Sequence, residues 1–204
     1  MQNGKAIIFD LGGVILNIDY GKTTDAFRSL GVKDFDDMYS QKKANKLFQR
    51  LEEGKIKETE FYEAFRRSTS SHTSDEQIKL AWNAMLLGFR EKALQTLQAV
   101  RHRYKLYLLS NTNAIHYEAF HTICEKEIGK ESLDEFFDKI YYSHNIGHRK
   151  PDRGAYEIVL QENSLAPSET IFIDDSIQNI DAAKKLGLQT IFLTPGKGIE
   201  ELDL

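Results

Sequence analysis

The chain has a single cysteine, no sign of charge in real excess, and no apolar run near the roughly 20 residues of a membrane span. Cys124 alone excludes an intramolecular disulfide and any cysteine-based metal cluster. Its neighbourhood, KEIGKE, offers no base to lower a thiol pKa for nucleophilic work. With 27 Lys and Arg against 31 Asp and Glu, the net charge of -4 gives no basic footprint for nucleic acid or an anionic membrane surface. It is also too small to suggest a disordered acidic tail. No charged-then-apolar leader opens the sequence, so a reducing cytoplasm is the expected location. Of the six histidines, His116, His121, His144 and His148 lie near the motifs below, but none has a partner at metal-ligand spacing. They read as hydrogen-bonded or solvated structural residues. Repeats, low-complexity tracts and long linkers are absent.

What remains is an ordinary globular composition, 41% hydrophobic and 28% charged over 204 residues, enough for one domain with an insertion or two small domains. The chain is organised around Ala6 to Asn17, AIIFDLGGVILN. An apolar run closed at once by a turn signal reads as a strand buried on both faces. It ends on Asp10, and a carboxylate stationed there needs a reason, because a buried unpaired charge is expensive. In open α/β sheets, ligands bind beyond the carboxyl ends of the strands, where Asp10 would sit. Taken alone, an Asp opening a turn before Gly is an equal reading.

Three later stretches break that tie. Tyr104 to Asn113, YKLYLLSNTN, is a second apolar run that ends on a hydroxyl and an amide. His148 to Pro151, HRKP, sets a lysine before a proline, which favours an extended or turn conformation. Thr170 to Ser176, TIFIDDS, is a third apolar run, ending on adjacent carboxylates. Parallel packing of these strands would bring Asp10, Ser110, Lys150, Asp174 and Asp175 to one edge, a phosphate-and-metal site in outline.

FDLGGV, LLSNTN, RKP and FIDDS with Asn179 behind it, in that order, resemble the four motifs of the haloacid dehalogenase-like (HAD) hydrolases. Their wording is similar to that of the small sugar-phosphate phosphatases of the α-glucose-1-phosphate phosphatase type, and the likeness covers nearly the whole chain. It implies a Rossmann-like α/β parallel-sheet core with an inserted helical cap. Residues 1–16 and 89–204 would form the core and 17–88 the cap. Within 17–88 the apolar residues recur at threes and fours, as in Phe61, Ala64, Phe65 and Ile78, Ala81, Trp82, Met85, which predicts about four amphipathic helices. Phe61, Phe65 and Trp82 read as core. The turn Glu52 to Ile56 is a candidate cap loop over the site, or simply a glycine-capped helix end. Beyond Arg90, helical and strand patterns alternate, predicting βα units and strands near 104–110, 139–143, 170–174 and 190–193.

The resemblance implies a Mg²⁺-dependent phosphomonoesterase acting on a small phosphorylated metabolite, with Asp10 as nucleophile forming an aspartyl-phosphate. Asp10, the Gly12 carbonyl and Asp175 would hold the cation, with Asp174 acting directly or through water and Asn179 orienting them. Ser110 and the Asn111 amide would hold phosphate oxygens, and Lys150 would offset the developing charge. One position departs from the pattern. Most family phosphatases carry a second Asp two residues after the nucleophile as general acid and base, and here Gly12 stands there, as it does in the resembled subgroup. Asp19, Asn17 and Glu52 are the candidates to replace it. Two rivals stand beside this reading: a 2-haloacid dehalogenase, which would leave the Asp174–Asp175 pair without a use, and a catalytically silent binding protein that kept the fold.

Overall fold

The computed structural model describes residues 4–204. Strands β1 (Ala6–Phe9) and β2 (Leu16–Ile18) open the chain, followed by helices α1 (Tyr20–Ser29) and α2 (Phe35–Met38). A short hairpin, β3 (Tyr39–Ser40) and β4 (Lys43–Ala44), precedes α3 (Lys46–Glu52), α4 (Glu58–Thr69) and α5 (Asp75–Asn83). The rest alternates: β5 (Leu86–Phe89), α6 (Glu91–Val100), β6 (Lys105–Ser110), α7 (Ala114–Ile128), β7 (Lys139–Tyr142), α8 (Ser143–Ile146), α9 (Arg153–Glu162), β8 (Thr170–Asp174), α10 (Ile177–Lys185) and β9 (Gln189–Phe192).

Five strands form a parallel sheet in the order β7-β6-β1-β8-β9. β1 is central, and its four residues are at most 1% exposed, which explains its unbroken apolar run. Successive side chains alternate between faces. Ile7 and Phe9 join one core with α6 and α7, while Ala6 and Ile8 join the other with α9 and α10. Because β6 and β8 flank β1 in parallel, the carboxyl ends of all three lie side by side.

The five helices α1 to α5 build a third core of their own, rich in aromatic rings: Phe27, Phe35, Phe48, Phe61, Phe65 and Trp82 are all buried. Phe27 stacks on Phe35 with centroids 4.4 Å apart, and Trp82 leans on Phe48 at 4.9 Å. From the sheet side this core receives Ile115 of α7. The chain enters and leaves the block through β2 and β5, which pair antiparallel. That ribbon, the β3–β4 hairpin and the fifth helix are absent from the expected pattern. Strands of two to four half-buried residues offer too few positions for alternation to show. Helix α9 begins at Arg153 and α10 at Ile177.

Local chemistry sets the helix ends that matter for the site. Asn113 caps α7, its side chain accepting from the His116 N–H at 3.1 Å, and Gly129 closes that helix with φ +67°. Gly54 sits after α3 at φ +64°, where any Cβ would run into the carbonyl oxygen of His144. The turn Glu52 to Ile56 is therefore a foot planted on the segment that leads to Lys150. Gly54→Ala should lose at least the roughly 1–2 kcal/mol of a left-handed non-glycine residue. In thermal melts this corresponds to a fall in Tm of about 2–8 °C, and an unchanged Tm would refute the close docking.

Candidate active site

Asp10 follows β1 without leaving the ladder, for its N–H still donates to the carbonyl of Ile173 at 2.9 Å. The chain then folds into a tight loop in which the amides of Ile15 and Leu16 both donate to the Leu11 carbonyl. Gly13 lies in this loop at φ +75°, and a Cβ there would collide with the Asp175 carboxylate. This close approach accounts for glycine at 13. Asp174 ends β8, Ser110 ends β6, and Lys150 comes from the loop after α8.

Lys150 ties the strand ends together. Its Nζ donates to Asp10 Oδ1 at 2.8 Å and to Asp174 Oδ2 at 2.7 Å, and its side chain is fully buried. Asn111 fixes the lysine from behind: its Oδ1 accepts the Lys150 N–H at 2.7 Å and its Nδ2 donates to the Lys150 carbonyl at 2.8 Å. Asp174 is saturated. Ser176 N–H donates to Oδ1 at 2.7 Å, and the Asn179 amide reaches both oxygens at 3.0 and 3.1 Å. Asp10 is not. Leu11 N–H and Lys150 hold its Oδ1, while among the described residues no group donates to Oδ2. Asp175 accepts one bond, from Gln41 Nε2 at 3.0 Å.

One oxygen from each of Asp10, Asp174 and Asp175 lies within 4.8 Å of the others. One buried lysine does not balance three carboxylates. Burial pushes Asp10 up to about 8, against the pull of Lys150 and with the added repulsion of Asp174 and Asp175. Burial and then Asp174 raise Asp175 to about 6. Burial would lower Lys150, but Asp10 and Asp174 hold it above the ordinary lysine value. An all-oxygen donor set with surplus negative charge fits a hard divalent cation such as Mg²⁺.

Asp10, Gly12, Ser110, Asn111, Lys150 and Asp175 all border one cavity of about 450 Å³. The general-acid candidates are less available. Asn17 bonds the Gly88 carbonyl and Arg90, and Asp19 is the N-cap of α1, accepting from Gly21 N–H. Glu52 reaches the cavity, but its two oxygens take Tyr39 Oη at 2.9 Å and Arg149 Nε at 2.6 Å. The β3–β4 hairpin also closes over the site, its Gln41 touching Asp175, while Glu52 of the Glu52 to Ile56 turn borders the cavity. Tyr20, Tyr39, Gln41 and Arg149 line the cavity and were not singled out from the sequence. Only Arg149 carried a signal, its place beside Lys150. Among the described residues the histidines join no ligand cluster; His116 is buried against Trp82 at 4.3 Å and lowered by that burial to about 4. The Cys124 thiol is raised by burial to about 11, the opposite of a nucleophile.

A model of the haloacid dehalogenase-like hydrolase family matches residues 5–187. The chain is 35% identical over 188 residues to the D-ribitol-5-phosphate phosphatase of Bacteroides thetaiotaomicron, covering 91% of this chain and 90% of that one. Among solved structures it is similar to a variant of the HAD family enzyme bt-2542 of the same organism, in complex with magnesium and inorganic phosphate. The TM-score is 0.86 at 30% identity, over 95% of this chain and 96% of that one. A HAD-like hydrolase from Porphyromonas gingivalis matches at TM-score 0.86 and 30% identity, over 95% and 93%.

Lys150→Met would leave Asp174 buried without its cation, a loss expected near 3–5 kcal/mol. The orphaned carboxylate would then prefer its protonated form, so the native variant binds more protons than the unfolded chain and recovers stability as pH falls. Urea melts without metal at pH 7.5 and 5 should show the deficit shrinking in acid; an equal deficit at both would contradict the ion pair.

Proposed function

The chain belongs to the haloacid dehalogenase-like hydrolases, and on that footing we propose that it is a Mg²⁺-dependent phosphatase of a small sugar or polyol phosphate. The observation that carries this reading is the division of labour at Asp10: Oδ1 is anchored by Lys150 and a backbone amide, and among the described residues Oδ2 has no protein donor, at a small polar cavity. The phosphatase relative, alike over nine-tenths of both chains, supports it. So does the ordinary size of the cavity, which suits a metabolite and not a polymer. Residues 17–88 are the cap of this reading and 1–16 with 89–204 the core.

Asp10 Oδ2 attacks phosphorus in line, forming a P–O bond as the bond to the leaving oxygen breaks. The leaving alkoxide takes up a proton, and water then cleaves the aspartyl-phosphate to free phosphate and regenerate the carboxylate. Lys150 neutralises Asp10 and the phosphoryl oxygens, and because Asn111 and Asp174 fix it, that charge is in place before reaction. Ser110 and the amides after it are donors for the non-bridging oxygens. Asp10, the Gly12 carbonyl and Asp175 would hold Mg²⁺, which would supply positive charge where the transferring group develops negative charge. With Asn17, Asp19 and Glu52 committed, we assign the leaving alkoxide's proton to Tyr20, a hydroxyl on the cavity wall. Burial, then Asp175 and Asp10, hold its phenol far above the tyrosine range, so it stays a donor.

Release of inorganic phosphate from a panel of sugar and polyol phosphates tests the reading. Turnover should need Mg²⁺, stop in chelator, and fall by several orders of magnitude in Asp10→Asn. Turnover that survives chelation, halide release from 2-haloacids in its place, or silence across the panel would each refute it. The cation has a second readout. Asp10 near 8 and Asp175 near 6 lie above the ordinary 3.8, so the metal-free native state holds extra protons between about pH 4 and 8. Its stability therefore falls as pH rises through that window. Mg²⁺ at one fixed concentration, about 100 times its Kd at pH 8, should raise Tm by about 5–10 °C at pH 8 and by much less at pH 5; equal shifts would contradict the site.

A further inference from the structure

Arg149 borders the cavity with only part of its guanidinium bonded to protein. Its side chain is 18% exposed, and that of its partner Glu52 is 2% exposed. The contact between them is a single bond, Nε to Oε2 at 2.6 Å, instead of the two-pronged fork that guanidinium and carboxylate can form. Glu52 is held at its other oxygen by Tyr39 Oη. Among the described residues no protein group accepts from either Nη of Arg149, although the residue borders the cavity. Terminal donors left without a protein acceptor beside a cavity are free to hydrogen-bond a ligand's oxygens there.

We propose that Arg149, braced by Glu52 and Tyr39, reads the oxygens at the far end of the substrate, opposite the phosphate. The wall around it mixes signs, with Lys42 and Lys43 against Glu52 and Asp152. A second phosphate or carboxylate would meet those acids. Hydroxyl groups both donate and accept, and satisfy such a wall. The ligand class is thus a phosphate monoester of a polyhydroxylated chain, and Arg149 is a specificity residue. Arg149 precedes Lys150, so one short segment supplies the cation for each end of the substrate. The phosphate end rests on the phosphatase reading; the tail end rests on the Arg149 geometry.

Calorimetry on the Asp10→Asn protein with Mg²⁺ separates the two. The probes are ribitol 5-phosphate and inorganic phosphate, and the quantity read is the ratio of their affinities. Hydrogen bonds to a charged group predict a ratio of about 10- to 100-fold in favour of the polyol phosphate. Adding Glu52→Gln with Arg149→Met removes both charges together, leaves no buried ion unpaired, and should bring the ratio to about one. Arg149→Lys, which keeps the Glu52 pair but loses the planar fork, should reduce the ratio in the same direction and decides the matter if the paired variant does not fold. A ratio near one in the parent, a ratio that survives both changes, or loss of inorganic phosphate binding along with the polyol phosphate would overturn the proposal. Failure of the phosphatase reading would appear elsewhere, as wild-type protein that binds these ligands and releases no phosphate.

Discussion

One ammonium group shared between two carboxylates governs the carboxyl edge of this sheet. Lys150 Nζ bonds Asp10 and Asp174 at 2.8 and 2.7 Å from a fully buried position, so two strand ends and a loop converge on a single charge. Three carboxylates still exceed one lysine, and burial converts that excess into the raised Asp10 and Asp175. The same imbalance that weakens the metal-free fold at neutral pH prepares it for a divalent cation. Stability and chemistry thus draw on one arrangement of charge.

The helical block is attached to this edge at separate points. Its aromatic core takes in Ile115 of α7, Gly54 rests against the His144 backbone, and Glu52 bonds Arg149. Two of these contacts land on the 143–150 segment, which ends on Lys150. Gln41 at the tip of the β3–β4 hairpin reaches Asp175. The cavity is therefore walled jointly by the block and by the strand ends with the Arg149–Lys150 segment.

Much of the sheet was legible because its strands are buried on both faces and so read as apolar runs: AIIF, LYLL and TIFI each break where a polar residue marks the carboxyl end. Asp10, Ser110 and Asp174 are those breaks, and Asp175 follows directly. Lys150 was legible only through its proline and its place in a known motif order, since a loop has no periodicity. The helical block showed its apolar stripes but hid its hairpin and ribbon, whose strands are too short to alternate. Tyr20, Tyr39 and Gln41 gave no signal: an aromatic or amide in an amphipathic block looks the same whether it faces a core or a cavity. The roles of Asn17, Asp19 and Glu52 were equally invisible, because cap, ribbon and ion pair are decided by partners up to about a hundred positions away.

The central claim is that Asp10 itself carries the phosphoryl group. Rapid acid quench of the enzyme during turnover of a substrate, followed by borohydride reduction and peptide mass spectrometry, tests it directly. An acyl phosphate on Asp10 is reduced to homoserine at that position alone. Finding homoserine at position 10 in the turning-over enzyme, and none without substrate, is the predicted result. Phosphate released at full rate with Asp10 unmodified, or a phosphoryl group trapped on another side chain, would contradict it.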